Sequence, residues 1–258
     1  MNDALPAARR TGRAAARQAA FFARHVVLHT HVEKAAGSTV CYTLTRMFGA
    51  AYCLDLRLPD APRPEALPPD ALAALRLLSG HFHAGSHEHL FDRRPLRIAT
   101  VRDPVDRLLS FLGFLARSPG HPDYQRLGTL PPDAAAATML AEGHRMVTNS
   151  QCRVLARTPL FEPAREAAEH GYLVVLPHVG ALSIAALFSD ALRLPRANPK
   201  VRRNAAPDGT RPRLHARTEA LVRDATAEDS RLVAWVAGNA ERLLMQARER
   251  LAALADPS

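Results

Sequence analysis

The stretch HVVLHTHVEKAAGSTV, residues 25–40, decides the fold of this chain. Residues 25–29 are typical of a short β-strand, and residues 38–47 continue at helical spacing. The loop between them and the start of the helix offer an anion backbone amides, a lysine charge and two hydroxyl groups, contributed by Lys34, Gly37, Ser38 and Thr39. The stretch therefore predicts a strand, a loop and a helix, with a phosphate-binding site at the loop.

A second stretch with the same organisation, LRIATVRDPVDRLLS, spans residues 96–110. Its first six residues predict a strand. Asp103 suits the N-cap of a helix, and Pro104 suits the first helical position, where its missing N–H costs nothing. Arg102 and Ser110 flank the start of this helix. Two anion sites on one scaffold predict a ligand with two separate phosphate groups, such as a nucleotide-like sulfuryl donor.

The rest of the chain alternates short apolar runs with helical patterns. Residues 172–176, YLVVL, predict a buried parallel strand. Asp70 is expected to cap a short helix through Leu77, whereas residues 78–83 suit either a strand end or a loop. Further helices are expected at residues 133–140, 146–156, 179–192 and 228–254. Alternating strands and helices predict an α/β fold with a central, mainly parallel sheet flanked by helices.

Length and composition bound the class of protein. The 258 residues suffice for a single domain, expected at residues 25–258 after a basic leader at residues 1–24. The net charge of +9 is carried by 32 arginines and two lysines, which suits nucleic acid, an anionic membrane or a polyanionic ligand equally. No run approaches the roughly 20 apolar residues of a membrane span, so any membrane contact is expected to be peripheral. Residues 9–24 are the only candidate segment for such contact. Three cysteines without paired spacing predict a reducing, cytoplasmic setting.

Four histidines lie close together in the sequence GHFHAGSHEH, residues 80–89. His83 and His87 have the spacing of zinc ligands on a helix, but the absence of HExxH and of a nearby cysteine pair argues against a metal. The segment also suits a purely structural loop. In a third interpretation, a neutral imidazole with an ordinary pKa of about 6.5 accepts a proton from a hydroxyl group.

Jointly, the stretches 25–40 and 96–110 resemble the sulfotransferases that act on carbohydrates, namely the membrane-anchored heparan sulfate 2-O and 6-O enzymes and their bacterial relatives. That family's first loop reads Pro-Lys-Thr-Gly-Gly-Ser-Thr, and its second segment reads Arg-Asp-Pro-Val-x-Arg-x-x-Ser. Residues 149–155, NSQCRVL, resemble the Asn-x-Gln-x-Arg-x-Leu helix of the 6-O branch. The resemblance extends over residues 25–250 and implies a sulfotransferase fold similar to that of the P-loop kinases.

The resemblance implies how the donor 3′-phosphoadenosine 5′-phosphosulfate (PAPS) is held. Its 5′-phosphosulfate is expected to contact the first loop, at Lys34, Ala35, Ala36, Gly37, Ser38 and Thr39. Arg102 and Ser110 are expected to hold the 3′-phosphate. A basic loop that contains Arg202 and Arg203 occupies the position at which the family closes over the nucleotide.

The resemblance also implies the chemistry. His81 corresponds to the base that deprotonates the acceptor hydroxyl, with His83 as the second choice, and Lys34 offsets the charge that grows on the departing 3′,5′-bisphosphate, PAP. The implied activity is sulfuryl transfer to a carbohydrate or glycolipid acceptor. It requires no metal, no nucleic-acid partner and no integral membrane segment.

The first loop departs from the family pattern. Glu33 stands in place of a proline and can either pair with Lys34 or repel the sulfate. Ala35 and Ala36 replace threonine and glycine, which removes a hydroxyl and some backbone freedom, although a cradle of amides survives. A degenerate, non-catalytic member therefore stays an alternative. So do a nucleotide-dependent kinase, which the missing Walker A Gly-Lys-Ser/Thr opposes, and a polyanion or nucleic-acid binder, which the 5% aromatic content opposes.

Overall fold

The computed structural model describes residues 4–195 and 212–256, which form a five-stranded, all-parallel sheet flanked by helices. Its strands are β1 His25–Thr30, β2 Cys53–Asp55, β3 Leu77–Gly80, β4 Arg94–Val101 and β5 Val174–Pro177. Their spatial order is β2-β3-β1-β4-β5. The predicted α/β class with a central parallel sheet is confirmed. Strand β2 is too short to have been recognised from its sequence.

The helices of the described residues lie between these strands and after the last one. They are α1 Ala4–Arg24, α2 Gly37–Phe48, α3 Pro69–Ala74, α4 Pro104–Leu115, α5 Pro132–Ala141, α6 Ser150–Ala156, α7 Phe161–Glu166, α8 Ala181–Leu192, α9 Ala216–Ala225, α10 Ala227–Gly238 and α11 Ala240–Ala255. Among them, no helix combines the length and the apolar character needed to cross a membrane.

Strand β1 lies in the middle of the sheet, and all six of its residues are buried. Thr30 lies opposite Gly80 of β3 on one side and opposite Ala99 of β4 on the other. The residues that follow these three parallel strands therefore emerge at the same edge. After β1 the chain crosses to β2, and after β4 it moves to β5 in the opposite direction. The crevice beyond β1 and β4 is thus a switch point of the kind at which open α/β sheets bind ligands.

The end of α1 is anchored in the core by aromatic packing. Phe21 is fully buried, and the ring centroids of Phe21 and Phe22 are 5.2 Å apart. Phe22 in turn contacts Phe48 at 5.0 Å, and Phe48 contacts Phe188 at 5.4 Å. Residues 1–24 are expected from the sequence to stand apart as a basic leader, whereas the last turn of α1 contributes to the core of the sheet domain. The sequence shows the two phenylalanines but not what they pack against.

Asp70 does not cap a helix, contrary to the sequence-based prediction. Pro68 is the N-cap of α3, and the helix ends at Ala74. It cannot extend through Leu77, because Leu77 begins β3 and pairs with β1.

Two predicted helices begin later or break earlier than expected. The helix expected at residues 228–254 is divided into α10 and α11 at Asn239, whose φ of −113° and ψ of 8° lie outside the helical range. The helix expected at residues 146–156 begins only at Ser150. Asn149 lies outside it.

Replacing Phe21 with alanine tests whether α1 is part of the core. Phe21→Ala is expected to lower the free energy of unfolding, measured by urea denaturation, by about 3–5 kcal/mol because it leaves a buried cavity. The control is Met245→Ala on α11, whose side chain is 57% exposed and whose loss is expected to cost less than about 0.5 kcal/mol. Equal effects of the two substitutions would contradict the assignment of α1 to the core.

Candidate functional site

Three segments singled out from the sequence meet at the carboxyl edge of the sheet. They are the β1–α2 loop (residues 31–36), the residues that follow β4, and His81, which follows β3. The backbone N–H of His31 donates to the carbonyl of Gly80 at 2.9 Å. On the other side, Arg102 Nη1 donates to the carbonyl of Lys34 at 3.2 Å. The loop is therefore held directly between β3 and β4.

The backbone of the β1–α2 loop is strained at two residues, one lysine and one alanine. Lys34 and Ala36 have φ angles of 62° and 65°, a left-handed conformation that residues with a Cβ rarely adopt. The hydroxyl of Thr100 donates to the carbonyl of Ala35 between them, at 2.5 Å. This bond and the bond from Arg102 hold the loop in the strained conformation.

The N-terminus of α2 presents unpaired donors toward this edge. Ala36 is the N-cap and has no side-chain hydrogen bond to offer the first turn. The backbone N–H groups of Gly37 and Ser38 have no acceptor among the described residues, as expected for the first turn of a helix. Such donors, together with the helix dipole, can hold an anion.

An arginine that sequence reasoning missed lies at the same helix terminus. Arg57 donates through Nη1 to the Ser38 hydroxyl at 2.7 Å. It also forms a bidentate pair with Asp55, at 2.7 Å from Nε and 2.6 Å from Nη2. Desolvation raises the pKa of Asp55, but the hydrogen bonds and charge of Arg57 outweigh it, so the pKa lies below its ordinary value. Arg57 follows the three-residue strand β2, and no sequence motif marks it.

The side chain of Lys34 turns toward α4. Its ammonium lies 4.2 Å from the centroid of the Phe114 ring, a cation–π contact. Desolvation lowers the pKa of Lys34 to about 8; Glu33 opposes this shift, and the charges of Arg117 and Arg102 add to it. Lys34, Arg102 and Arg117, here called the cationic cluster, thus concentrate positive charge beside α4. Ser110 belongs to α4 one turn before Phe114, on the same side of the helix.

Glu33 does not form its ion pair with Lys34. Its carboxylate lies 2.9 Å from Nη2 of Arg145, which follows α5. Of the two alternatives open in the sequence, pairing with Lys34 is therefore wrong. The pairing with Arg145 also places the Glu33 charge where it acts on His81.

A glycine is required at position 37 for a steric reason that the sequence analysis did not include. A Cβ placed on Gly37 would lie 1.4 Å from Cδ2 of His31, so only glycine leaves room for this imidazole. The His31 ring packs in turn against His81, with ring centroids 4.7 Å apart. The first residue of α2 and the predicted base are therefore connected through a histidine that the sequence did not single out.

Two buried histidines support this arrangement from β1 and the loop. Nδ1 of His29 lies 2.8 Å from the Ser79 hydroxyl, and its ring centroid is 5.5 Å from that of His31. Burial lowers the pKa of His29 to about 3 and that of His31 well below its ordinary value. Both imidazoles are therefore neutral at neutral pH. The sequence could have predicted this pair. His29 and His31 are separated by one residue, Thr30, and therefore lie on the same face of an extended chain.

His81 differs from the two buried histidines because its side chain is exposed. Desolvation by its neighbours lowers its pKa; Glu33 opposes this shift, and Arg145 and Arg57 add to it. His81 is therefore predominantly neutral at pH 7 and can accept a proton. His83 is also exposed, but Ala84 ties its segment to α6 through a bond to the carbonyl of Val154 at 3.0 Å.

A residue of the NSQCRVL segment, residues 149–155, holds the backbone of Arg102 in place. The side chain of Gln151 accepts from the N–H of Arg102 at 2.9 Å and donates to its carbonyl at 2.8 Å. Asp229 accepts from the N–H groups of Gln151 and Cys152 at 3.1 and 2.9 Å and lies 3.8 Å from the buried Arg107. This network was not predicted.

Arg202 and Arg203 lie outside the described residues. Within residues 4–195 and 212–256, no three histidine, cysteine or acidic side chains are grouped closely enough to hold a metal ion.

No family model matches the sequence, and no curated protein matches it at a significant level.

Substitution of Gly37 tests the contact with His31. Gly37→Ala is expected to lower the free energy of unfolding by about 1–3 kcal/mol, because the new methyl group overlaps the imidazole. Gly238→Ala is the control, since a Cβ at Gly238 meets no atom within 4 Å. In a double-mutant cycle measured by urea denaturation, the His31→Ala background should remove most of the cost of Gly37→Ala. Additive effects would show that the two residues do not clash.

Proposed function

We propose that this protein is a sulfotransferase that transfers a sulfuryl group from PAPS to a hydroxyl group of a carbohydrate or glycoconjugate. The observation that carries the proposal is the convergence of the two anion-binding segments at the switch point, where Arg102 donates to the carbonyl of Lys34. A donor with phosphate groups at both ends of one nucleoside requires two such segments side by side.

The residues at the site suit the two ends of the donor differently. The free amides of Gly37 and Ser38 at the N-terminus of α2 suit the 5′-phosphosulfate. The cationic cluster, with Ser110 on the same face of α4, suits the 3′-phosphate. Lys34 contributes to both parts, since its backbone belongs to the β1–α2 loop and its ammonium faces α4.

His81 takes the proton of the acceptor in this proposal. As the acceptor oxygen forms its bond to sulfur, the hydroxyl proton moves to the neutral imidazole. The bond between sulfur and the bridging phosphate oxygen breaks, and its electron pair leaves with PAP. The amides at the N-terminus of α2 stabilise the negative charge that develops there.

Arg102 is expected to determine the affinity for PAP. Titration calorimetry should detect binding of PAP that is clearly tighter than binding of ADP, and Arg102→Ala should weaken it by roughly 10- to 100-fold through loss of charge-assisted hydrogen bonds. Arg248→Ala, an exposed change on α11 that removes the same charge, should leave the affinity unchanged. Tighter binding of ATP with magnesium would instead favour a kinase. Absence of any binding would overturn the proposal.

His81 is expected to determine turnover rather than donor affinity. His81→Ala should reduce kcat by about 100-fold or more while PAP binds as before. Because the lowered pKa of His81 lies below 6.5, kcat of the unmodified protein should be constant near pH 7 and fall as the imidazole becomes protonated at lower pH. His170→Ala, at the opposite edge of the sheet, is the control. An unchanged kcat in His81→Ala with a loss in His83→Ala would transfer the role to His83.

A further inference from the structure

An open pocket of about 400 Å³ lies beside His81, at the carboxyl ends of β2 and β3. Leu56, Arg57, His81, Phe82 and His87 line it. Arg57 also donates to Ser38 at the N-terminus of α2. The pocket therefore adjoins the proposed sulfate position and is lined by the proposed base, His81. The acceptor hydroxyl has to reach both, so the acceptor is expected to bind in this pocket.

The basic side chains Arg57 and His87, which line this pocket, each lie beside a carboxylate. Two donors of Arg57 are engaged by the carboxylate of Asp55. Nδ1 of His87 lies 3.2 Å from the carboxylate of Glu65. A carboxylate or sulfate on the acceptor would lose its hydration on entering the pocket. It would then meet Arg57, whose charge Asp55 already offsets, and would lie near the carboxylate of Glu65 beside His87.

The cationic cluster on the other side of the β1–α2 loop contrasts with this pairing. There, the mutual repulsion of Lys34, Arg102 and Arg117 contributes to the lowered pKa of Lys34. Arg102 lies 4.0 Å, through Nη2, from the carboxylate of Asp106. Three cationic side chains thus lie close together beyond β1 and β4, whereas beyond β2 and β3 the cation that lines the pocket, Arg57, is paired with Asp55.

We infer that the acceptor is an uncharged hydroxyl compound, such as a neutral sugar, and that acidic glycans are excluded although the chain has a net charge of +9. The inference rests on the proposed function. It follows from the pairing of Arg57 with Asp55 and from the location of the pocket between that pair and His81. Discrimination arises because the pocket does not compensate the desolvation of an added negative charge.

A matched panel of acceptors tests the inference. The methyl glycosides of glucose, galactose and mannose are compared with the corresponding uronic acids, with release of PAP from PAPS as the readout. At least one neutral glycoside is expected to have a kcat/KM about tenfold or more above that of its uronic acid, since one uncompensated charge costs at least 1.4 kcal/mol, a factor of ten. Equal or faster turnover of the uronic acids, or turnover of no neutral glycoside, would overturn the inference.

A charge variant identifies the origin of the preference. Asp55→Asn keeps the size of the side chain but leaves the Arg57 charge unpaired, so the ratio of uronic acid to neutral glycoside turnover should rise about tenfold. Asp92→Asn, in the segment that precedes β4 at the opposite edge, is the control and should leave the ratio unchanged. An unchanged ratio in Asp55→Asn would show that Asp55 does not exclude acids.

Titration with PAP separates failure of the inference from failure of the proposed function. If PAP binds and the uronic acids are the better acceptors, the protein is a sulfotransferase with an acidic acceptor and only the inference is wrong. If PAP does not bind, both are wrong.

Discussion

The buried carboxylate of Asp229 is the group on which the candidate site depends. It accepts hydrogen bonds from the first turn of α6 and lies beside the buried Arg107 of α4, so it connects α10, α6 and α4. Burial raises the pKa of Asp229, while Arg107 and the amide donors oppose this shift. Loss of one partner from such a pair typically costs about 3–5 kcal/mol, because the other charge is left uncompensated. Through Gln151, the same network fixes the backbone of Arg102 and hence the β1–α2 loop.

The distribution of charge, rather than its total, distinguishes the two sides of the site. A net charge of +9 suggests a polyanionic ligand, yet much of the positive charge near His81 is offset locally, by Asp55 and Glu33. In the cationic cluster beside α4, desolvation lowers the pKa of Lys34, Glu33 opposes this shift, and the charges of Arg117 and Arg102 add to it. Electrostatic interactions are short-ranged at physiological ionic strength, so the immediate partners of a side chain determine which ligand it can hold.

Sequence reasoning singled out segments that meet at the sheet edge, but not all of the side-chain contacts between them. Lys34, Gly37 and Arg102 do meet at the sheet edge, because a parallel sheet brings the ends of β1 and β4 together. Gly37, however, makes room for His31, and Glu33 pairs with Arg145 rather than with Lys34. These partners come from segments distant in sequence, and no local pattern reports them.

The sequence by itself determined the α/β class, the strand–loop–helix units around residues 25–40 and 96–110, and the cap at Asp103, whose side chain accepts from Asp106 as expected. These features depend on hydrophobic periodicity and on capping groups within a few residues of one another. Only the tertiary structure decided that α1 ends in the core, that Arg57 reaches Ser38, and that Asp229 supports Arg102. The physical reason is that burial and ion pairing depend on which side chains the sheet order brings together in space.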